Sequence, residues 1–205
     1  MIDLYTWLTS NGRKATIMLE EVELPYNVHP INISKGEQFA PEFVEINPNA
    51  KIPAMIDQGA EGGPFTVFES GAMLMYLGDK TGRLFSTAPR RRYEVTQWLM
   101  FQMGGIGPIF GQLHHFCDKK DAEPYSYGRY QTETRRLYGV LDARLADHEY
   151  LVDDYSIADI ATFPWVFRHE RHDIGFDDFP HLKRWFDAVH ARPAVQHGLW
   201  IPKTD

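Results

Sequence analysis

Thr9, Ser10 and Asn11 stand together just before a stretch whose apolar residues recur at helical spacing. A hydroxyl or amide group at the first turn of a helix can donate to an anion, and the helix dipole adds a favourable positive potential. Such donors lower the pKa of a bound thiol and favour the nucleophilic thiolate. No cysteine stands at this turn, so a thiol acting here would come from a ligand. The competing interpretation is an ordinary N-cap, for which the same residue types are preferred.

A second candidate binding segment runs from Lys51 to Ser70. Pro53 opens a predicted strand at a place where its missing N–H is tolerable, and a cis bond before it would leave the backbone of Ile52 unpaired at the sheet edge. An edge of this kind can pair with a peptide. Glu69 and Ser70 follow the next strand and begin a helix, whose N-terminus favours negative charge. The segment therefore predicts a site for a small peptide that carries a carboxylate.

The middle of the chain offers two weaker candidates. His114 and His115, with Cys117 and Asp118 nearby, suggest a metal, but adjacent histidines cannot both reach one ion from one helix face. No second ligand pair stands at zinc spacing, so we predict no metal. The Gly-rich run 104–108 lacks the Lys-Ser/Thr of a phosphate loop, and we interpret it as a helix kink. A Ser-His-Asp triad stays open on spacing alone, although no nucleophile elbow is present.

The first two candidates depend on a small α/β domain to position them. Strands are predicted at residues 2–6 and 26–33, with a helix between them because apolar residues recur at i, i+3, i+4 and i+7 from Ala15. The crossover makes these two strands parallel. A short helix, two strands around the Gly-rich turn 59–64 and a helix from Gly71 complete a β-α-β-α-β-β-α order. This order is the thioredoxin-like plan.

After a polar linker between Gly82 and Pro89 the apolar period becomes helical throughout. We predict two domains, a thioredoxin-like domain at residues 1–82 and an all-helical domain at residues 89–205. Ser156 and Asp159 have the spacing of a capping box, which we interpret as structural. Core stripes of three helices are predicted at Val95, Trp98, Leu99, Met103; Tyr130, Thr134, Leu137, Leu141, Leu145; and Leu182, Trp185, Phe186, Val189.

Composition narrows the function classes. The 205 residues are 43% hydrophobic with a formal net charge of −7, which argues against a nucleic-acid partner because such a partner needs a basic face. The start of the chain lacks the pattern of a signal peptide, and no run of about 18 apolar residues indicates a membrane span. We therefore expect a cytoplasmic protein. The single cysteine excludes an internal disulfide or a Cys-x-x-Cys pair.

Together these motifs resemble the glutathione transferase superfamily, and the resemblance covers essentially the whole chain. The superfamily motifs are Asn47-Pro48, Lys51-Ile52-Pro53-Ala54 and Phe68-Glu69-Ser70-Gly71-Ala72. Further runs make the chain most similar to the bacterial nu class: Leu4-Tyr5, Thr9-Ser10-Asn11-Gly12-Arg13-Lys14, Gly104-Gly105-Ile106-Gly107-Pro108, Gly111-Gln112 and His114-His115-Phe116. Nu-class proteins act as glutathione-dependent disulfide-bond reductases. The resemblance implies the glutathione transferase fold, with the α/β domain followed by the all-α domain.

The resemblance also implies a role for each matching residue. Thr9 and Asn11 would face the glutathione sulfur and act as the catalytic residues. Ile52 would pair its backbone with the cysteinyl unit. Glu69 would offer its charge to the γ-glutamyl amine, and Ser70 would offer donors to the γ-glutamyl carboxylate.

The remaining implied binding residues are Gln38, Lys51, Pro53 and Arg129. Gln38 matches a contact to the carboxylate end of glutathione, and Lys51 and Pro53 flank Ile52 in the binding segment. Arg129 matches an arginine that reaches a glutathione carboxylate across the interface of a homodimer. Its competing interpretation is a surface arginine on a solvated helix.

The sequence departs from the family at two positions. Ser10 stands where proline is usual, and Ala50 stands where asparagine is common. Ser10 is expected to loosen the turn that aims Thr9, so the departure affects the rate more than the fold.

The function implied by the resemblance is reduction of a small disulfide by glutathione, bound as co-substrate, with two glutathione molecules in one open site. One alternative is a transferase that conjugates glutathione to a small electrophile. Another is a non-catalytic glutathione-binding or regulatory module. A protein nucleophile also stays open, because His114 and His115 could lower the pKa of Cys117.

Overall fold

The computed structural model describes residues 1–203, and contacts divide the chain into two compact units. The first unit contains residues 1–83 together with the segment from Arg192 onward, and the second contains residues 84–191. The strands are β1 (Ile2–Thr6), β2 (Tyr26–Pro30), β3 (Ala54–Asp57) and β4 (Phe65–Phe68). The helices are α1 (Ser10–Val22), α2 (Pro41–Ile46), α3 (Ser70–Thr81), α4 (Pro89–Phe101), α5 (Gly107–Cys117), α6 (Pro124–Leu145), α7 (Ile157–Val166), α8 (Pro180–His190) and α9 (Pro193–Gly198).

The four strands of the first unit form one mixed sheet in the order β2-β1-β3-β4. β1 and β2 are parallel, whereas β3 is antiparallel to both β1 and β4. This arrangement confirms the predicted α/β fold class. β2 ends at Pro30, three residues before the predicted end, because the Asn32 side chain accepts a hydrogen bond from the Ser34 N–H at 3.0 Å and begins a 3-10 turn at Ile33–Lys35.

Helix α1 is buried along most of its length because it packs against both α3 and α9. A Cβ on Gly198 would lie 2.8 Å from the backbone of Ile17, so the backbones of α1 and α9 approach too closely for a larger residue. The Thr16 hydroxyl donates to the carbonyl of Gly198 at 2.6 Å, and the Arg13 guanidinium donates to the carbonyl of Leu199 at 3.0 Å. These contacts hold the C-terminal segment against the first unit.

At the C-terminal end of the chain, the two compact units differ from the two predicted domains. The sequence places residues 192–203 in the helical domain, whereas the structure groups them with the α/β unit, where Arg192 makes two hydrogen bonds of 2.6 and 2.9 Å to the Glu21 carboxylate. The last two residues of the predicted domain, 204 and 205, lie outside the described residues.

The second unit is helical, as predicted for this part of the chain. Its core contains nine of the predicted stripe residues, Val95, Leu99, Thr134, Leu137, Leu141, Leu145, Leu182, Trp185 and Val189. The other four, Trp98, Met103, Tyr130 and Phe186, are only partly buried. The capping box is confirmed, since the Ser156 N–H donates to the Asp159 carboxylate at 3.0 Å. The Gly-rich run lies at a π-helical turn, Gln102–Ile106, between α4 and α5, which is a common cause of a helix kink. Among residues 1–203, no helix has the length and apolar character needed to cross a membrane.

Candidate active site

The turn before α1 is built around Thr9, which is the N-cap of the helix. Its side-chain oxygen accepts a hydrogen bond from the Gly12 N–H at 3.0 Å. A Cβ on Gly12 would lie 2.1 Å from the carbonyl oxygen of Trp7, so only glycine fits this turn. Thr9 therefore performs the structural role that the sequence left open. That role uses a lone pair of the hydroxyl oxygen and leaves its proton able to donate to a ligand.

A small cavity of about 140 Å³ lies in the first unit. Its lining residues are Asn11, Asn47, Asn49, Lys51, Ile52, Pro53, Glu69 and Ser70. The structure thus brings six of the predicted site residues together from three separate segments of the chain. Thr9 is two residues from Asn11 in the same turn but does not line the cavity.

Asn47 shapes the loop that carries the Ile52 edge. Its buried side chain donates to the carbonyl of Lys51 at 2.7 Å and accepts from the N–H of Asn49 at 3.0 Å. The bond between Ile52 and Pro53 is cis, as anticipated. Ala50 sits in the same loop at a φ of 52°. Asparagine tolerates this left-handed conformation better than alanine does. The backbone of Ala50 is therefore more strained than that of the asparagine common at this position would be.

Glu69 and Ser70 form another part of the cavity wall. Glu69 has a φ of 69° and a ψ of 114° and precedes α3 without making a side-chain cap. The N–H groups of the first turn of α3 therefore have no side-chain acceptor from the residue before the helix, and such groups favour a bound carboxylate. The Glu69 side chain is exposed, whereas Ser70 is buried. The pair thus offers a carboxylate at the surface and a hydroxyl deeper in the cavity.

A buried lysine lies behind this wall. Lys14 on α1 is 1% exposed, and its ammonium nitrogen lies 3.2 Å from the Ser70 hydroxyl oxygen. Burial lowers the pKa of Lys14 to about 7, while the Glu69 carboxylate acts in the opposite direction. When Lys14 carries its proton, the site is more electropositive than its lining residues alone indicate.

The two other predicted binding residues lie outside the cavity lining. Gln38 is in a 3-10 turn, Glu37–Phe39, and its side-chain oxygen is buried without a hydrogen-bond partner among residues 1–203. Arg129 is exposed on α6 and lines a larger cavity of about 790 Å³ in the second unit. Neither residue lines the cavity that contains Glu69 and Ser70.

Cys117 ends α5 in the second unit, and its environment does not activate it. The thiol donates to the carbonyl of Arg171 at 2.9 Å, and burial raises the pKa of the thiol. His114 instead contacts His172, and His115 contacts Lys119. Among residues 1–203 no three His, Cys, Asp or Glu side chains gather as a metal would require.

The sequence analysis missed Lys14, Asn47 and Asn49 as lining or supporting residues of the cavity. Asn47 and Lys14 entered the sequence analysis only as parts of family motifs. Lys14 could have been noticed because it shares the face of α1 with the buried Met18, four residues later, where a charge is unusual.

Comparisons with known proteins match both halves of the chain. Residues 1–79 match the family described as "Glutathione S-transferase, N-terminal domain", and residues 95–193 match "Glutathione S-transferase, C-terminal domain". Disulfide-bond oxidoreductase YfcG from Escherichia coli (strain K12) is 47% identical over 203 residues, which cover 97% of this chain and 94% of that protein. Disulfide-bond oxidoreductase YghU from the same organism is 37% identical over 223 residues, with coverage of 100% and 76%.

Solved structures agree with the sequence comparison. A glutathione transferase from Pseudomonas putida, with one glutathione disulfide bound per subunit, has a TM-score of 0.94 and 46% identity over 98% of this chain and 91% of that one. A glutathione transferase from Burkholderia graminis, with two glutathione molecules bound per subunit, has a TM-score of 0.92 and 49% identity over 100% of this chain and 89% of that one.

Proposed function

Because the chain belongs to the glutathione S-transferase family, we propose that it is a glutathione-dependent disulfide-bond reductase. The observation that supports this most is the cavity that gathers Asn11, Ile52, Glu69 and Ser70 beside the Thr9 turn. It combines an acid for an amine, donors for a carboxylate and donors for a sulfur within one unit. The similarity to two disulfide-bond oxidoreductases at 47% and 37% identity adds the reaction type.

In the proposed complex each part of glutathione meets a group of matching chemistry. The γ-glutamyl ammonium binds Glu69, and the γ-glutamyl carboxylate binds Ser70 and the uncapped start of α3. The backbone of Ile52 pairs with the cysteinyl unit, flanked by Lys51 and Pro53. These contacts fix the ligand at several points, which is the main requirement for aiming its sulfur.

Two further residues are proposed to complete glutathione binding. Gln38, whose side-chain oxygen has no partner within the described part of the chain, binds near the other carboxylate end of the ligand, which requires its amide nitrogen to donate. Arg129 reaches a glutathione carboxylate from the second subunit of a homodimer. Its exposure on α6 leaves its guanidinium accessible for such a contact.

The reaction that follows is thiol–disulfide exchange. The glutathione thiolate, stabilised by donors from Thr9 and Asn11, attacks one sulfur of the substrate disulfide in line and expels the other as a thiolate. A second glutathione thiolate then attacks the mixed disulfide, which yields glutathione disulfide and the second substrate thiol. The rate comes from positioning and thiolate stabilisation, and no protein cysteine takes part.

We also propose that the protein is a nu-class homodimer that works in the cytoplasm. The class is supported by the residues at the Thr9 turn and by the Gly-rich run between α4 and α5. The cytoplasm is where the glutathione pool is kept reduced and so where this reaction has its co-substrate.

Steady-state turnover with two substrates tests the proposed function. Purified protein with glutathione is given either 2-hydroxyethyl disulfide or 1-chloro-2,4-dinitrobenzene, an aryl halide. We expect ready reduction of the disulfide and a much lower kcat/KM for conjugation. Conjugation without reduction would instead indicate a transferase. Glutathione binding without turnover of either substrate would indicate a binding module.

A further inference from the structure

Lys14 is a buried charged residue that the proposed reaction does not use. It lies in α1, 56 positions before Ser70 in the chain, yet its ammonium nitrogen is 3.2 Å from the Ser70 hydroxyl oxygen. Lysine is almost never fully buried unless it is paired. This side chain contacts Ser70, the residue proposed to bind a carboxylate. The contact indicates that Lys14 has a function at that subsite.

We propose that Lys14 is a positioning residue for the carboxylate subsite. The lysine holds the Ser70 hydroxyl so that the hydroxyl proton points at the ligand. This proposal rests on the proposed function, because it needs glutathione at this site. A lysine ammonium has three donors and no acceptor, so in this contact Lys14 is the donor and the Ser70 oxygen is the acceptor. The Ser70 hydroxyl is then the donor in its contact with the ligand carboxylate.

The arrangement forms a short chain from ammonium to hydroxyl to carboxylate. Hydrogen bonds arranged in this way polarise one another, and a buried charge acts more strongly than an exposed one. Lys14 also places a positive charge behind the N-terminus of α3, where the helix dipole already favours a carboxylate. The Glu69 carboxylate beside it binds the amine of the same ligand unit in the proposed complex.

The protonation of Lys14 is then coupled to ligand binding. Burial lowers its pKa to about 7, and Glu69 raises it in part, so ammonium and amine are both populated near neutral pH. The amine can accept from Ser70 and turn the hydroxyl away from the ligand. A bound carboxylate favours the ammonium, so binding takes up a proton.

Other titratable groups on or beside the helices packed against α1 form pairs of their own. These pairs are Arg192 with Glu21, His197 with Glu20, and Lys80 with Asp57. Glu69 is the charged group that acts on Lys14 from the start of α3.

Calorimetric binding of S-methylglutathione tests the proposal, because this ligand has no thiol to titrate. At pH 7.5, titrations in two buffers of different ionisation enthalpy measure protons taken up on binding. For the wild type we expect partial proton uptake and an affinity that falls by about fivefold from pH 6 to pH 8. Lys14→Met should bind about tenfold more weakly at pH 6, the effect of losing one charge-assisted hydrogen bond, and take up no proton.

Lys183→Met is the matched control. It removes a lysine from an exposed pair with Asp187 on α8 and should leave the affinity and the proton uptake unchanged. Ser70→Ala is the second variant and should also reduce the proton uptake, since it removes the hydrogen-bonded link between Lys14 and the ligand. It keeps the test decisive if Lys14→Met does not fold.

The outcomes separate this proposal from the proposed function. Wild-type binding without proton uptake, or the wild-type pH profile in Lys14→Met, would overturn the role of Lys14 and leave the glutathione site intact. Undiminished uptake in Ser70→Ala would also overturn it. Failure of the wild type to bind S-methylglutathione at all would overturn the glutathione site itself, and the role of Lys14 with it.

Discussion

Glu69 holds a backbone conformation that glutamate seldom adopts, with a φ of 69° and a ψ of 114°. A residue in such a sparsely populated region costs about 1–3 kcal/mol, and the cost is tolerated mainly at functional sites. Glu69 directly precedes α3, and its exposed side chain is followed by the buried Ser70. The strained backbone therefore supports a ligand-binding role for Glu69 and not a role in core packing.

Replacing Glu69 by glutamine tests this role at the scale of one residue. Glu69→Gln removes the charge that pairs with the γ-glutamyl amine but keeps the size and exposure of the side chain. We expect glutathione to bind at least about tenfold more weakly, while the unfolding midpoint hardly changes. Calorimetry measures the affinity, and thermal unfolding checks the fold.

Glu61→Gln provides the matched control for this experiment. Glu61 lies exposed in the turn between β3 and β4, so its replacement removes the same charge from the same unit away from the cavity. Equal affinity of the Glu69 and Glu61 variants for glutathione would show that the Glu-Ser motif is assigned wrongly.

Three aromatic side chains, His172, Tyr138 and His114, connect elements of the second unit. His172 is fully buried, with Nδ1 2.8 Å from the Tyr138 hydroxyl on α6 and Nε2 2.8 Å from the Nε2 of His114 on α5. Burial lowers the pKa of His172 to about 2 and that of His114 to about 4. Both histidines are therefore neutral in the folded chain at neutral pH.

These pKa values predict how stability depends on pH. A histidine whose pKa is depressed by folding contributes fully above its unfolded pKa, near 6.5, and the contribution is lost as the pH falls toward the folded value. We expect His172 alone to reduce the free energy of unfolding by about 2 kcal/mol between pH 7 and pH 5. Urea unfolding followed by tryptophan fluorescence at the two pH values measures this loss.

His172→Gln should flatten the pH dependence, because glutamine keeps polar groups near Tyr138 but does not titrate. His115→Gln is the control, since His115 is exposed on α5 and contacts Lys119. A pH dependence that stays unchanged in His172→Gln would mean that other groups carry the acid sensitivity.

Replacing Arg129 tests whether glutathione binding can be weakened while the dimer stays assembled. We predict that Arg129→Ala raises the apparent constant for glutathione or its disulfide, because the guanidinium is proposed to reach a ligand carboxylate from the second subunit. The mass from light scattering should stay that of a dimer. Arg136→Ala is a suitable control, because Arg136 lies two turns further along α6 and pairs with Glu133. A monomeric wild type would rule out the cross-subunit role.

The sequence alone predicts the fold well, because the signals that determine it are local. Proline, glycine and the apolar period mark the helices and strands, and the capping box at Ser156 and Asp159 is present in the structure. The position of α9 could not be predicted in this way. Its contact with α1 joins Thr16 to Gly198 across 182 positions, and no local pattern shows on which unit a terminal helix packs.

The candidate site was predictable only in part, for the same reason. Motifs at Ile52 and Glu69 indicate a ligand, and the structure gathers these residues in one cavity. Lys14 and Asn47 act through contacts that form only on folding, such as the 3.2 Å approach of Lys14 to Ser70. The proposed roles of Gln38 and Arg129 rest on the resemblance, since neither residue lines the cavity.

In the proposed reaction the reactive thiol belongs to glutathione and not to the protein. The most direct measurement is kcat for reduction of 2-hydroxyethyl disulfide by two variants. Cys117→Ser should keep nearly all of the wild-type activity, because this thiol has a raised pKa and donates to a backbone carbonyl. Thr9→Ala combined with Asn11→Ala should lower kcat by more than about tenfold, the loss of one or two hydrogen bonds to a charged sulfur. Loss of activity in the serine variant, with activity retained in the double alanine variant, would contradict the account.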